Sequence, residues 1–304
     1  MTTLRRYLAA QYDVTGLSGK ILRSNLWEIG ALVVAGLIVF ALVALYHLYY
    51  VELEVPDFIS TPMGMEHMFS MIVYFTIAVY AIPVIILILN IGHMHRLTMR
   101  RNGRMRPHIR HYFTELWRIV AHLVSQPLMR KCPRPAYKRR WGRHWAIVVS
   151  FVAISVILLF FLSWFQTDSL YPLSHPQRWL GYLVTVGLVV GSVDILVRRM
   201  WKGNEIHTSS ALSDWVLPVL LLLTALSGIA VHIFRYLDFP LTTHFTYAVH
   251  LAIAVPMLVV ELPFGKLSHV MYRPLAIYFE AVRERAVAEE GSLDESINKE
   301  TVAA

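Results

Sequence analysis

Six stretches of the chain are continuously apolar for about the length that a bilayer core of about 30 Å demands of an α-helix rising 1.5 Å per residue. They lie near residues 26–50, 67–92, 145–165, 178–199, 214–236 and 244–271. Polar segments separate them, and no strand-like alternation competes with the helical reading. The pattern predicts an all-α fold: a polytopic membrane helix bundle of about six transmembrane helices. It divides the chain into an N-terminal segment (1–25), a membrane domain (26–273) with a long basic connection (93–143), and a C-terminal tail (274–304) that reads as polar and frayed after Arg285.

Composition supports the bilayer as solvent: 56% of the 304 residues are hydrophobic and 16% charged, outside the usual range of a soluble domain. The net charge of +8 would suit nucleic acid if it were spread over a surface, but it is concentrated in connections, which makes it a topology signal and excludes nucleic acid as the expected partner. Arg and Lys crowd the stretch from Arg96 to Arg143, where Glu115 is the one acid, and return at Arg198, Arg199 and Lys202. The connection 51–66 carries Glu52, Glu54, Asp57 and Glu66 without Arg or Lys, and 166–177 holds no Lys or Arg either. The positive-inside rule then predicts both termini and the basic loop in the cytoplasm, with the chain in the cell inner membrane as a multi-pass protein. No cleavable signal segment is expected, because the first apolar run is too long for one.

Within the basic loop, Ile109, Tyr112, Phe113, Leu116, Trp117, Val120, Leu123 and Val124 recur at helical spacing among His and Arg, which predicts an amphipathic helix. Two readings compete: an apolar face lying in membrane lipid, or a dock for a soluble subunit.

Candidate chemistry rests on histidine. The chain has 14 His and one Cys, Cys132, so it cannot furnish the thiolates of an ordinary iron–sulfur cluster. Several histidines fall at span ends, where ionisable groups are costly and imidazole is a natural axial ligand for haem iron. His250 falls near the outer and His269 near the inner end of the last span; His144 opens the third span inside and His67 the second outside. Matched depth pairs His144 with His269, and His67 with His250, as axial ligands of two haem groups. The plain alternative for each is an interfacial histidine bonded to headgroups or to a carbonyl. His47 and His232 are rivals for the outer position, His93 and His95 for the inner one, and His175, His207 and His244 read as loop residues. On one continuous helix the 19 residues from His250 to His269 leave the rings about 100° apart; a one-residue π-bulge beside Pro256 would realign them, and that bulge is predicted.

Glu261, eight residues or about 12 Å of helix rise from His269, is a candidate for proton handling near a haem or quinone, or a paired structural acid. Arg143, Lys266 and Arg273 surround the inner pair and are candidates for haem propionates or ordinary snorkelling anchors. Asp194 is accounted for by an i,i+4 ion pair with Arg198.

The stretch from His250 to Arg273, HLAIAVPMLVVELPFGKLSHVMYR, resembles the last helix of the nitrate reductase gamma-subunit family of di-haem cytochromes b. Its nearest likenesses are the membrane domain of tricarballylate utilisation protein B and the membrane components of quinone-interacting oxidoreductase and of heterodisulfide reductase. Three patches add to it: Cys132 followed by Arg139, Arg140, Trp141 and His144; Tyr171-Pro172-Leu173 leading to Gly181, Gly187 and Gly191; and Asp214 through Thr224 to Gly228. The likeness covers roughly residues 58–285. It implies two b haems and electron exchange with menaquinone or ubiquinone near the outer haem.

The chain departs from that family in three ways. Ile154 stands ten residues after His144, where the family carries a second histidine, so the outer haem must recruit elsewhere. One residue more than usual separates His250 from His269. No paired-cysteine module is present, so the resemblance implies a separate cytoplasmic iron–sulfur subunit and a further catalytic subunit. A haem-free membrane anchor or small transporter is the competing class.

Overall fold

The computed structural model describes residues 9–50, 69–100, 107–124, 135–167, 169–201 and 212–303. Among them no strand occurs, and the helices longer than one turn are α1 (Leu17–Arg23), α2 (Asn25–Tyr50), α3 (Phe69–Arg100), α4 (Ile109–Val124), α5 (Pro135–Phe160), α6 (Pro176–Met200), α7 (Ser213–Tyr236), α8 (Pro240–Pro256) and α9 (His269–Ala303). Six of these helices, α2, α3 and α5–α8, are long and apolar enough to span a membrane, α8 together with the π turn that follows it. The protein is an all-α, multi-pass helix bundle.

The six helices expose apolar side chains rather than bury them: Leu37, Ile38 and Leu42 on α2 and Ile85, Ile88 and Leu89 on α3 all point outward. A face of that kind is stable only in lipid. Inside the bundle, α5 packs on α6, α6 on α7, α7 on α8, and α8 on α2, while α3 meets α5, α9 and the turn after α8. Close approach of α5 and α6 depends on two glycines one turn apart. A Cβ on Gly187 would fall 2.0 Å from Ser150 Oγ, and one on Gly191 would fall 2.2 Å from Ile147 Cγ1. In a bilayer, where tails are as apolar as the helices, such small-residue contacts are a main source of association.

The predicted bulge is present: Met257–Glu261 is a turn of π-helix immediately after Pro256. The single last span expected over 244–271 is not. The span is Pro240–Glu261; residues 262–265 break the helix, Lys266–Ser268 forms one 3-10 turn, and α9 starts at His269. Pro263 and Gly265 supply the reason, since proline cannot donate into the helical ladder and glycine favours a break. His250 and His269 therefore stand on different helices, and helical phase does not relate them.

Two further expectations change. α9 runs helical to Ala303 where a frayed tail was expected, because it has a partner: it packs along α4, and its own charges pair at helical spacing, as in Arg283 Nη2 to Glu280 Oε1 at 2.7 Å. His244, expected in a loop, is buried in the first turns of α8. Pro240 at the first helical position starts that helix ahead of the apolar run.

The N-terminal segment is tied to the bundle at its basic end. Buried Asn90 of α3 accepts the Val14 N–H at 3.0 Å and donates to Tyr272 of α9 at 2.8 Å. Burial, with the negative charge of Asp13 adding to it, pushes the Tyr272 phenol up to about 12 despite its bond to Asn90, so it stays protonated and serves as a structural donor and acceptor.

Candidate functional site

Three elements converge at the basic end of the bundle: the first turns of α5, the end of α6, and the broken segment between α8 and α9. The glycine contact fixes α5 on α6 one turn from His144, since Gly191 also faces the Arg143 carbonyl. The 3-10 turn places His269 at the start of α9. As a result the His144 and His269 rings face each other with centroids 6.5 Å apart and planes 28° from parallel.

That spacing has a chemical reading. Two metal–nitrogen bonds of about 2 Å, plus about 1 Å from each nitrogen to its ring centre, sum to about 6 Å when both rings turn a nitrogen toward one metal, which the stacked rings would do by rotating in place. The His269 tautomer is also fixed: Nδ1 bonds the Lys266 carbonyl, and since a carbonyl only accepts, Nδ1 carries the proton and Nε2 keeps its lone pair. A backbone carbonyl on the remote nitrogen is the usual second partner of a metal-bound histidine. Among the described residues no three or more His, Cys, Asp or Glu gather as a bare-metal site would need. A haem needs only two protein ligands, its porphyrin supplying four nitrogens, so the residues present fit that group.

The cations expected around this pair are there but are shared. Arg143 Nε lies 2.9 Å from Asp194 Oδ2, and Asp194 also takes Arg198 Nε at 2.9 Å, which is the predicted i,i+4 pair. Lys266 Nζ pairs with Asp214, and Arg199 Nη1 lies 3.7 Å from the same carboxylate. Each acid thus balances two bases and leaves one positive charge in excess. Arg273 lies toward α4 instead: its charge, with that of Arg118, adds to burial in holding His122 below the ordinary histidine range.

Glu261, in the π turn, is fully buried. It accepts the Lys266 N–H at 3.0 Å, and a Cβ on Gly265 would fall 2.3 Å from its Oε2, so a larger residue there would displace the carboxyl. Its carboxyl meets that of Glu28, equally buried in the first turn of α2. The structure thus brings two acids of different helices together inside the bundle, where like charges are costly. Sequence reasoning missed Glu28. The signal was an acid at the mouth of the first span, a position where burial without function is costly.

His250, expected near the outer end of the last span, lies midway along the Pro240–Glu261 span and faces α7. Ser227 Oγ donates to the backbone carbonyls of Leu223 and Thr224 and lies 2.9 Å from His250 Nδ1. With its proton directed at the backbone, the hydroxyl accepts from Nδ1–H, which leaves Nε2 as the lone pair, as in His269. Gly228 makes room, since a Cβ there would reach 3.3 Å from His250 Cε1.

The expected partner of His250, His67, lies outside the described residues, as does His207, and nothing is described of the His47 side chain. Of the rivals, His232 binds the Tyr182 hydroxyl through Nε2 at 2.8 Å and rests on Tyr236. His95 binds the Tyr112 hydroxyl through Nε2 at 2.8 Å. Both therefore have other engagements for the nitrogen a ligand would use. His175 caps α6, its Nδ1 accepting the Gln177 N–H at 3.3 Å.

Comparison with family models, with curated proteins and with solved structures yields no match for this chain.

Proposed function

We propose that this protein is the b-haem membrane subunit of a respiratory oxidoreductase, passing electrons between the membrane quinone pool and a cytoplasmic iron–sulfur partner through two bis-histidine haems. One observation carries the reading: two imidazoles from different helices, spaced for one metal between them, one with its tautomer set by a backbone carbonyl. His144 and His269 would hold the inner haem; His250, with His67 as its expected partner, would hold the outer. The haems would supply one-electron chemistry, and the chain their ligation and surroundings.

Around that site the chain's own groups have definite tasks. The excess positive charge at Arg143/Asp194/Arg198 and at Lys266/Asp214/Arg199 suits propionates. The two fully buried acids, Glu28 and Glu261, suit proton handling near a haem or quinone. With no cluster ligands beyond Cys132, the electron partner is a separate iron–sulfur subunit, itself attached to a further catalytic subunit, on the basic face. The cell inner membrane is the setting this function requires, with menaquinone or ubiquinone as substrate.

The test is reduction of the chain in vesicles by quinol. Short-chain menaquinol or ubiquinol should produce the absorption of a reduced b haem within the mixing time of the experiment. A purified chain with no haem absorption, or haem that neither quinol reduces, refutes the reading. The buried carboxyl pair favours a haem-free proton-coupled carrier as the second reading, and an absence of haem would select it.

A further inference from the structure

The amphipathic helix α4 is mounted opposite to a soluble one. Two of its polar side chains, His111 and Glu115, are buried. Both face α9, and Glu115, with no exposed surface, takes both Arg118 and Arg285. Glu289 of α9 takes Arg110, and His111 Nε2 at 2.7 Å. Tyr112 closes the joint: its carbonyl accepts the Tyr278 hydroxyl at 2.9 Å and its own hydroxyl meets His95 of α3. The apolar residues occupy the other face. Ile109, Phe113, Leu116, Trp117 and Val120 are all exposed, Phe113 at 71%.

Depth decides what covers that face. His95 lies five residues, about 8 Å of helix rise, before the end of α3 at Arg100. A helix bonded there runs at the level where the spanning helix leaves the hydrocarbon. The apolar face of α4 is thus continuous with the lipid-facing surface of the bundle. Its charges fit the same place: Arg110 and the Arg118 guanidinium, which lies 5.5 Å over the Trp117 ring, border the apolar stripe as cations do at an anionic headgroup layer.

We propose that α4 seats its apolar face in the bilayer surface at the basic end of the bundle, and so acts as a lipid-held strap that fixes the direction of α9. The occupant is membrane lipid. The strap orders the helix that begins at His269 through Glu115–Arg285 and Glu289–Arg110/His111, and it needs no haem to do so. A soluble subunit that docks on this end would then meet α9 and the basic connections, not the apolar stripe of α4.

The full chain with Cys132→Ser, reconstituted in vesicles of phosphatidylethanolamine and phosphatidylglycerol, would carry a nitroxide at Phe113→Cys, Val120→Cys or Glu290→Cys. Collision with oxygen, which partitions into lipid, is compared with collision with a neutral nickel chelate, which stays in water. The ratio of oxygen to nickel accessibility should be several-fold higher at 113 and 120 than at exposed Glu290. Equal or lower ratios at both 113 and 120 overturn the proposal and leave the face open to a protein partner. Haem content plays no part in the readout, so this failure is separate from failure of the cytochrome reading.

Discussion

Gly191 lets the His144 turn of α5 lie against α6, because a Cβ at that position would stand 2.2 Å from Ile147 Cγ1. The candidate haem site is built on that contact. His144 is three residues before Ile147, and Asp194, three residues after Gly191, pairs with Arg143. Helix packing, ion pairing and ring placement are thus one arrangement.

Gly191→Ala should therefore destabilise the bundle by about 1–3 kcal/mol, the usual range for a methyl forced into a packed interior. Adding Ile147→Ala should recover part of the loss, since it removes the atoms in conflict. Thermal unfolding of the single and double variants in detergent measures the coupling; simple additivity would mean that the contact is not tight.

Midway across the bundle, Ser227→Ala removes one hydrogen-bond partner of His250 Nδ1, while a bond to the Thr224 backbone still holds the ring. If His250 ligates the outer haem, the variant should keep both haems but shift the midpoint potential of one. The inner component should hold the higher potential, because the cations beside it, Arg143 and Lys266, favour the reduced haem with its extra electron. Potentiometric titration of wild type and variant separates these outcomes, and an unchanged pair of potentials argues against His250 as a ligand.

His122 gives a pH dependence with a definite sign. Burial first, then Arg273 and Arg118, hold its pKa below the ordinary 6.5. The folded state then binds fewer protons than the unfolded one in the window between the two values, so this contribution is present above about 6.5 and is lost as pH falls through it. Amide exchange in α4, corrected for intrinsic rates, should show more opening at pH 5.5 than at 7.5, and His122→Gln should flatten the difference.

Orientation is a separate expectation, resting on the run of Arg and Lys between Arg96 and Arg143. A cysteine at Gly103 in a Cys132→Ser background should resist an impermeant maleimide in intact cells and react after lysis. Labelling in intact cells would invert the topology.

Much of this was legible in the chain. Six apolar runs marked the spans to within a few residues at most ends, and the π turn expected beside Pro256 is present, although the continuous helix from His250 to His269 on which that expectation rested is not. The break at 262–265 was not read, although Pro263 and Gly265 signal it; Leu262, Phe264, Leu267 and Val270 around them carried the apolar pattern onward. The helical tail escaped because its stability comes from α4, more than 150 residues away in the chain, through pairs such as Arg110–Glu289. Glu28 and Ser227 escaped for the same reason: each matters only through a partner on another helix. Local pattern reveals which residues are costly in a membrane, and tertiary structure reveals what meets them.

The most direct measurement is haem content with ligand variants. Purified wild type should contain low-spin b haem with the near-infrared circular dichroism of bis-histidine ligation. His144→Ala and His269→Ala should each lose the same spectral component, halving haem per chain if the outer site fills independently. No haem in the wild type, or full haem with unaltered ligation in both variants, would contradict the account.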